Sequence, residues 1–251
     1  MLRLKNLSIV ESKDQLMHIP GGKLLINTIN AHSYNVAQKD DVFAEALTQG
    51  DYLIPDGASI VKACKWLKVS SPPQERIAGW DLFTLEMNML KRKTEQNGNV
   101  SKPRVMFFGS SEKVLSLIRD RAAVDYPNFV IITYSPPFKQ EFSEEDNKAM
   151  IQIVNDVDPD LLWIGMTAPK QEKWAYQHWQ ELDIHCHCGT IGAVFDFYAG
   201  TARRAPLWWQ QHSLEWLFRL FMEPRRMWRR YVIGNMKFLL YIIKERVSRT
   251  N

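Results

Sequence analysis

The chain has 251 residues, 45% hydrophobic and 24% charged, enough to bury a full-sized core and ordinary for a folded domain. That balance excludes a disordered or low-complexity chain, and three cysteines exclude a disulfide framework. The net charge of +4 is unevenly placed: residues 201–251 carry eleven Lys or Arg against three Glu, so the first 200 residues are slightly acidic.

The first fifteen residues lack an apolar run ending in a small-residue cleavage site, so no signal peptide is expected. From Leu24 onward, short apolar or β-branched runs alternate with helical patterns. Strands are predicted over 24–28, 52–54, 105–108, 130–134, 161–164 and 184–188. Helices are predicted over 41–47, 58–67, 80–91, 112–123, 144–154 and 170–180. This alternation predicts an α/β fold, a Rossmann-like and mainly parallel sheet with helices on both faces. The polar stretch 94–103 reads as a surface linker between two halves of the sheet. Residues 1–200 form the predicted α/β domain, and residues 201–251 a basic, Trp-rich helical appendage.

In that appendage Arg alternates with Trp208, Trp209, Trp216, Phe218, Phe221, Trp228 and Tyr231. Arg and Trp on helical spacing suit an anionic membrane surface. They also suit a helical hairpin packed on its own core, or nucleic acid; the membrane surface is the preferred partner, and no nucleic acid is expected. The most apolar stretch, 231–243, is broken by Asn235 and Lys237 and falls short of the roughly 20 residues a bilayer needs. Cys186 and Cys188 in one predicted strand point to a reducing cytoplasm.

Ligands of parallel sheets bind beyond the C-terminal strand ends. Here those ends carry Thr28 and Asn30, Asp56, Gly109 and Ser110, Gly165 to Gln171, and Gly189 to Gly192. Asp56 stands before a helix, either as its cap or as a general base. Thr167, Pro169, Lys170 and Gln171 form a strand–helix turn whose free N–H groups suit an anion. Gly189, Gly192 and Asp196 lie on a second such turn, where the glycines serve either a nucleotide or close packing. Arg76 suits a phosphate or an ordinary salt bridge. No Gly-x-Gly-x-x-Gly fingerprint occurs, which disfavours a nicotinamide enzyme. Asp156 and Asp158 have the D-x-D spacing of metal–diphosphate sites but precede a strand, on the wrong sheet edge. His185 to Cys188 would alternate faces, so no metal site is expected.

Several segments together resemble the WecG/TagA/CpsF family of bacterial glycosyltransferases. They are Asn27-Thr-Ile-Asn30, Pro55-Asp-Gly57, Arg76-Ile-Ala-Gly79-Trp-Asp81, Ala168-Pro-Lys-Gln-Glu-Lys-Trp174, Phe195-Asp-Phe-Tyr-Ala-Gly200, Arg204-Ala-Pro206, Leu214 to Arg219, and Glu223 to Tyr231. The resemblance implies an inverting, metal-independent transferase with no cofactor beyond its co-substrate. It would move N-acetylmannosamine, its uronic acid or a related hexose from a UDP-sugar to a polyprenyl-diphosphate-linked sugar, in cell-surface polysaccharide or teichoic acid synthesis. It implies Asp56 as base, with Thr28, Asn30 and Gln171 lining the pocket and Arg219, Arg226 and Arg229 folding over it. It places the protein on the inner face of the bacterial plasma membrane; a homo-oligomer is compatible with it. The alternative is a non-catalytic UDP-sugar-binding module. Ser135-Pro-Pro-Phe-Lys139 and Thr190-Ile191 depart from the family pattern where a sugar would be selected.

Overall fold

The computed structural model describes residues 2–96, 101–212 and 214–248, the side chain of Arg226 excepted. Six strands, β1 Leu24–Ile29, β2 Tyr52–Pro55, β3 Arg104–Gly109, β4 Val130–Tyr134, β5 Leu161–Gly165 and β6 His187–Thr190, form one sheet in the order β2-β1-β6-β5-β3-β4. Every pairing is parallel. Both faces are covered, because alternate residues of each strand point to opposite sides. Ile26, Phe107 and Trp163 pack with Leu82, Phe83, Leu115, Ile118 and Phe195 on one face. On the other, Leu25, Met106, Phe108, Leu162 and Ile164 meet Met150, Val154 and Trp174. The Rossmann-like expectation therefore holds.

The last strand is displaced from its predicted span of 184–188. It starts at His187, which pairs with Leu24 on one side and Leu161 on the other. Gly189 and Thr190 become strand because two neighbours impose the ladder, although a glycine favours no strand alone. Ile184 and Cys186 are buried outside the sheet instead. A helix absent from the sequence reading, Ala31–Ala37, follows β1 at once. Its signal was Asn30 with Ser33 three residues on, which form a reciprocal capping box. The linker expected over 94–103 is helical through Gln96, and its residues 97–100 lie outside those described.

The basic tail continues through the helices Leu207–Gln211, Glu215–Met222 and Pro224–Trp228, a π-turn Arg229–Ile233, and the helix Gly234–Val247. No helix among the described residues is long and apolar enough to cross a membrane. The final helix returns to the α/β layers. Phe238 and Ile242 join a core cluster with Leu2, Leu4, Tyr34, Phe43 and Leu53. Buried Glu245 accepts the N–H groups of Leu4 at 3.1 Å and Lys5 at 3.0 Å, and the Tyr34 hydroxyl at 3.0 Å. Removing that carboxylate strands two backbone donors, each costing about 1–3 kcal/mol. Glu245→Ala is therefore expected to lower unfolding stability by about 2–6 kcal/mol, and hydrogen exchange should report opening of residues 234–247 first.

Candidate active site

Asp56 follows β2, and its N–H returns to the Ile54 carbonyl at 3.0 Å. It does not cap the next helix. The cap of Ala58–Leu67 is Gly57, without a side-chain bond. Asp56 Oδ1 accepts from Arg76 Nη2 at 3.2 Å instead, and the same nitrogen lies 2.9 Å from Glu215 Oε2. The loop carrying Arg76 is pinned beside β2 by Ile77 N–H donating to the Pro55 carbonyl at 3.1 Å. Glu215 arrives from the tail helix Glu215–Met222, so the strand end, the following loop and the tail converge on one guanidinium.

The Asp56 side chain keeps 28% of its surface open, yet the surrounding protein desolvates it. Burial is the largest influence and raises its pKa; Arg76 opposes, Glu215 reinforces and Arg219 opposes. Arg76 itself is raised: burial works against its charge, and the two carboxylates more than compensate. Arg204 stands over the Trp80 ring at 5.3 Å, its pKa lowered chiefly by burial while Glu215 and Asp81 resist. Arg219 stands over Phe197 at 5.6 Å. Two carboxylates and three guanidinium groups thus share the cleft, leaving room for anionic charge.

Beside them, Gln171 fastens two loops together. Its buried Oε1 accepts from the N–H groups of Met166, after β5, and Gly192, after β6, both at 3.1 Å. A Cβ on Gly192 would lie 2.4 Å from the Met166 carbonyl oxygen, so only glycine allows this approach. Gln171 Nε2 donates to Glu172 Oε1 at 2.8 Å. Glu172 is buried, its Oε2 has no hydrogen-bond partner among the described residues, and burial raises its pKa to about 7.

The other expected residues divide. Asn30 Oδ1 accepts from His32 N–H and Ser33 N–H, and its Cβ lies against Gly57, joining the ends of β1 and β2. Thr28, half-buried, pairs in register with Ile54 at the same rim. Gly109, at φ +124°, has the Gly165 carbonyl where a side chain would be, and the Ser110 carbonyl accepts from Ser135 Oγ at 2.8 Å. Gly189 lies against the Trp163 ring. These glycines serve close packing. Thr167 is exposed and its carbonyl accepts the Lys170 N–H at 2.9 Å; Pro169 caps that helix. Lys170 Nζ is turned onto the Phe142 ring and the Lys139 carbonyl. Asp196 is exposed and accepts from Thr201 Oγ1 at 3.1 Å. Arg229 lines a different cavity, and the Arg226 side chain lies outside the described residues.

Thr190 and Ile191, expected near the sugar, are buried; Thr190 Oγ1 donates to Asn27 Oδ1 at 2.8 Å within the sheet. Glu215, Arg204 and Glu172 lie within the segments that carry the family resemblance but were not singled out as site residues. No group of three or more His, Cys, Asp or Glu poised for a metal occurs among the described residues. His187 bonds Glu86 at 3.0 Å instead.

The glycosyl transferase WecG/TagA/CpsF family model matches residues 2–251. A Bacillus subtilis (strain 168) protein named N-acetylglucosaminyldiphosphoundecaprenol N-acetyl-beta-D-mannosaminyltransferase is 27% identical over 221 residues, 88% of this chain and 79% of the relative. Proteins of the same name from Bacillus spizizenii and Staphylococcus aureus (strain MW2) are 29% and 25% identical, over 84% and 82% of this chain and 76% and 75% of theirs.

The opposing charges around Asp56 predict opposite shifts. Arg76→Ala removes the cation that favours its ionised form and moves its titration to higher pH. Glu215→Gln removes the anion that disfavours it and moves it to lower pH. Carboxyl NMR titration reads both, and shifts of one sign would disconnect the three groups. Glu172 gives a stability prediction. Its folded pKa near 7 exceeds the ordinary 4.5, so the stability it contributes is fully present below about pH 4.5 and is lost as pH rises through 7. Glu172→Gln should flatten that fall, which amounts to at most ~3 kcal/mol, in denaturant melts from pH 4.5 to 8.

Proposed function

Because the chain belongs to the glycosyl transferase WecG/TagA/CpsF family, we propose that it moves N-acetylmannosamine, its uronic acid or a related hexose from a UDP-sugar to a polyprenyl-diphosphate-linked sugar, with inversion and without a metal ion. The names of the Bacillus and Staphylococcus relatives support the acceptor class and the sugar. The observation that carries the reading is the Asp56–Arg76–Glu215 cluster, with Arg204 and Arg219 beside it, at the C-terminal rim of a parallel sheet.

Asp56 takes the proton of the acceptor hydroxyl as that oxygen bonds to the anomeric carbon from the face opposite UDP. The bond from that carbon to the diphosphate breaks, and its electron pair leaves on the diphosphate oxygen. Arg76, Arg204 and Arg219 stabilise that charge through charge-assisted hydrogen bonds in a desolvated cleft. An entering diphosphate competes with Glu215 for Arg76, so donor binding rearranges the tail contact. Thr28 and Asn30 line the rim, and Gln171 keeps the adjoining loops in place. Basic charge and the exposed side chains of Trp208, Trp216, Phe221 and Trp228 favour a peripheral seat on the inner membrane face.

The test is a panel of UDP-sugars with a short polyprenyl-diphosphate-linked N-acetylglucosamine, read as acceptor-dependent UDP release with and without a chelator. UDP-N-acetylmannosamine or its uronic acid should be turned over, and the chelator should leave the rate unchanged. Asp56→Asn should lower the rate by about 100- to 10,000-fold with UDP affinity nearly intact. Full activity in that variant would remove Asp56 from the chemistry.

A further inference from the structure

A cavity of about 570 Å3 lies between the helix Ala31–Ala37 and the end of the tail. Lys39, Arg229, Arg230 and Lys237 line it. Among the described residues the one carboxylate on its wall is Asp40, which is paired with Lys173 at 2.9 Å. His32, also on the wall, stays neutral near pH 7, because burial and then Arg230 lower its pKa to about 4. Asn35 Nδ2 donates to the Gly234 carbonyl at 2.7 Å and ties the two walls together. The result is a cationic hollow without free anionic groups on its lining, and neither Asp56, Arg76 nor Arg219 belongs to it.

The helix Gly234–Val247 presents three faces. Phe238, Ile242 and Glu245 turn inward and are buried. Lys237 and Tyr241 turn to the cavity. Met236, Leu239, Leu240, Ile243 and Val247 are exposed, and their spacing of three and four residues makes one stripe beside the cavity face. An apolar stripe leading into a cationic hollow matches a molecule with an anionic head and hydrocarbon chains. A solvated helix face would not be apolar for three turns, and an inorganic anion would not need the stripe.

We propose that this cavity seats the headgroup phosphate of an anionic membrane phospholipid, whose acyl chains run along the exposed stripe of the C-terminal helix. The inference rests on the peripheral membrane seat proposed above, and adds a defined lipid site to it. The cavity runs from His32, in the first turn of the helix that begins at the cleft rim, to Lys39, about 10 Å along its axis, and the lipid-linked acceptor's diphosphate is the competing occupant that the test separates.

The full chain should be floated with vesicles of phosphatidylcholine alone, and of phosphatidylcholine with phosphatidylglycerol, at fixed ionic strength. Lys39→Gln with Lys237→Gln should weaken binding to the anionic vesicles at least about tenfold. Arg203→Gln with Arg225→Gln, an equal charge change at exposed tail sites outside the cavity, should weaken it no more than about threefold. Turnover of a short, water-soluble acceptor without vesicles should be unchanged in the Lys pair, which also shows that the pair folds. Equal weakening by both pairs would mean diffuse attraction and overturn the site. So would unchanged vesicle binding with a raised KM for the lipid-linked acceptor, which would give the cavity to the acceptor's diphosphate. Selective lipid binding without any sugar transfer would sink the proposed reaction and leave the lipid site standing.

Discussion

The arrangement depends on one guanidinium shared by two carboxylates. Arg76 Nη2 lies 3.2 Å from Asp56 and 2.9 Å from Glu215, and all three groups are largely enclosed. Desolvating an ion costs several kcal/mol, and the Arg76 cation offsets that cost for the Asp56 carboxylate. The same pairing fixes geometry. Asp56 belongs to the end of β2, Arg76 to the loop beside it, and Glu215 to the tail. Removing Arg76 would leave two enclosed carboxylates facing each other, while its 2.9 Å contact with Glu215 ties the tail to the cleft. Arg219, one turn along the same tail helix, acts on Asp56 only while that helix is in place.

The rest of the cleft is built by backbone groups more than by side chains that reach a ligand. Gln171 holds the N–H groups of Met166 and Gly192. Asn30 holds those of His32 and Ser33. Gly109 and Gly192 permit approaches that a methyl group would block. A rim of this kind is rigid because each loop is fastened to the loop of a neighbouring strand.

The sheet was legible because β2, β3 and β5 are near-continuous apolar runs, as parallel strands buried on both faces require. β6 was misplaced because Gly189 and Thr190 owe their strand conformation to β1 and β5, and no local preference records that. The helix Ala31–Ala37 was missed since its seven residues are too few for a periodic signal, although Asn30 and Ser33 announced its start. Asp56, Arg76 and Arg219 were legible as types at strand ends or in the tail. Their partner Glu215 was not, because a long-range ion pair leaves no trace in spacing. Thr190 shows the converse error: a polar residue after a strand looked available, and the fold spends its hydroxyl on Asn27.

The tail resolves into parts with different physical duties. Glu245, Phe238 and Ile242 fasten its end to the N-terminal segment and the helix Ala31–Ala37. Glu215 fastens its beginning to the cleft. Between these anchors lie the π-turn Arg229–Ile233 and most of the exposed aromatic and aliphatic side chains. A segment held at both ends can expose apolar side chains without leaving the cleft, which a freely hinged appendage could not do. The same short helix exposes Trp216 and Phe221 while its Glu215 reaches Arg76 in the cleft.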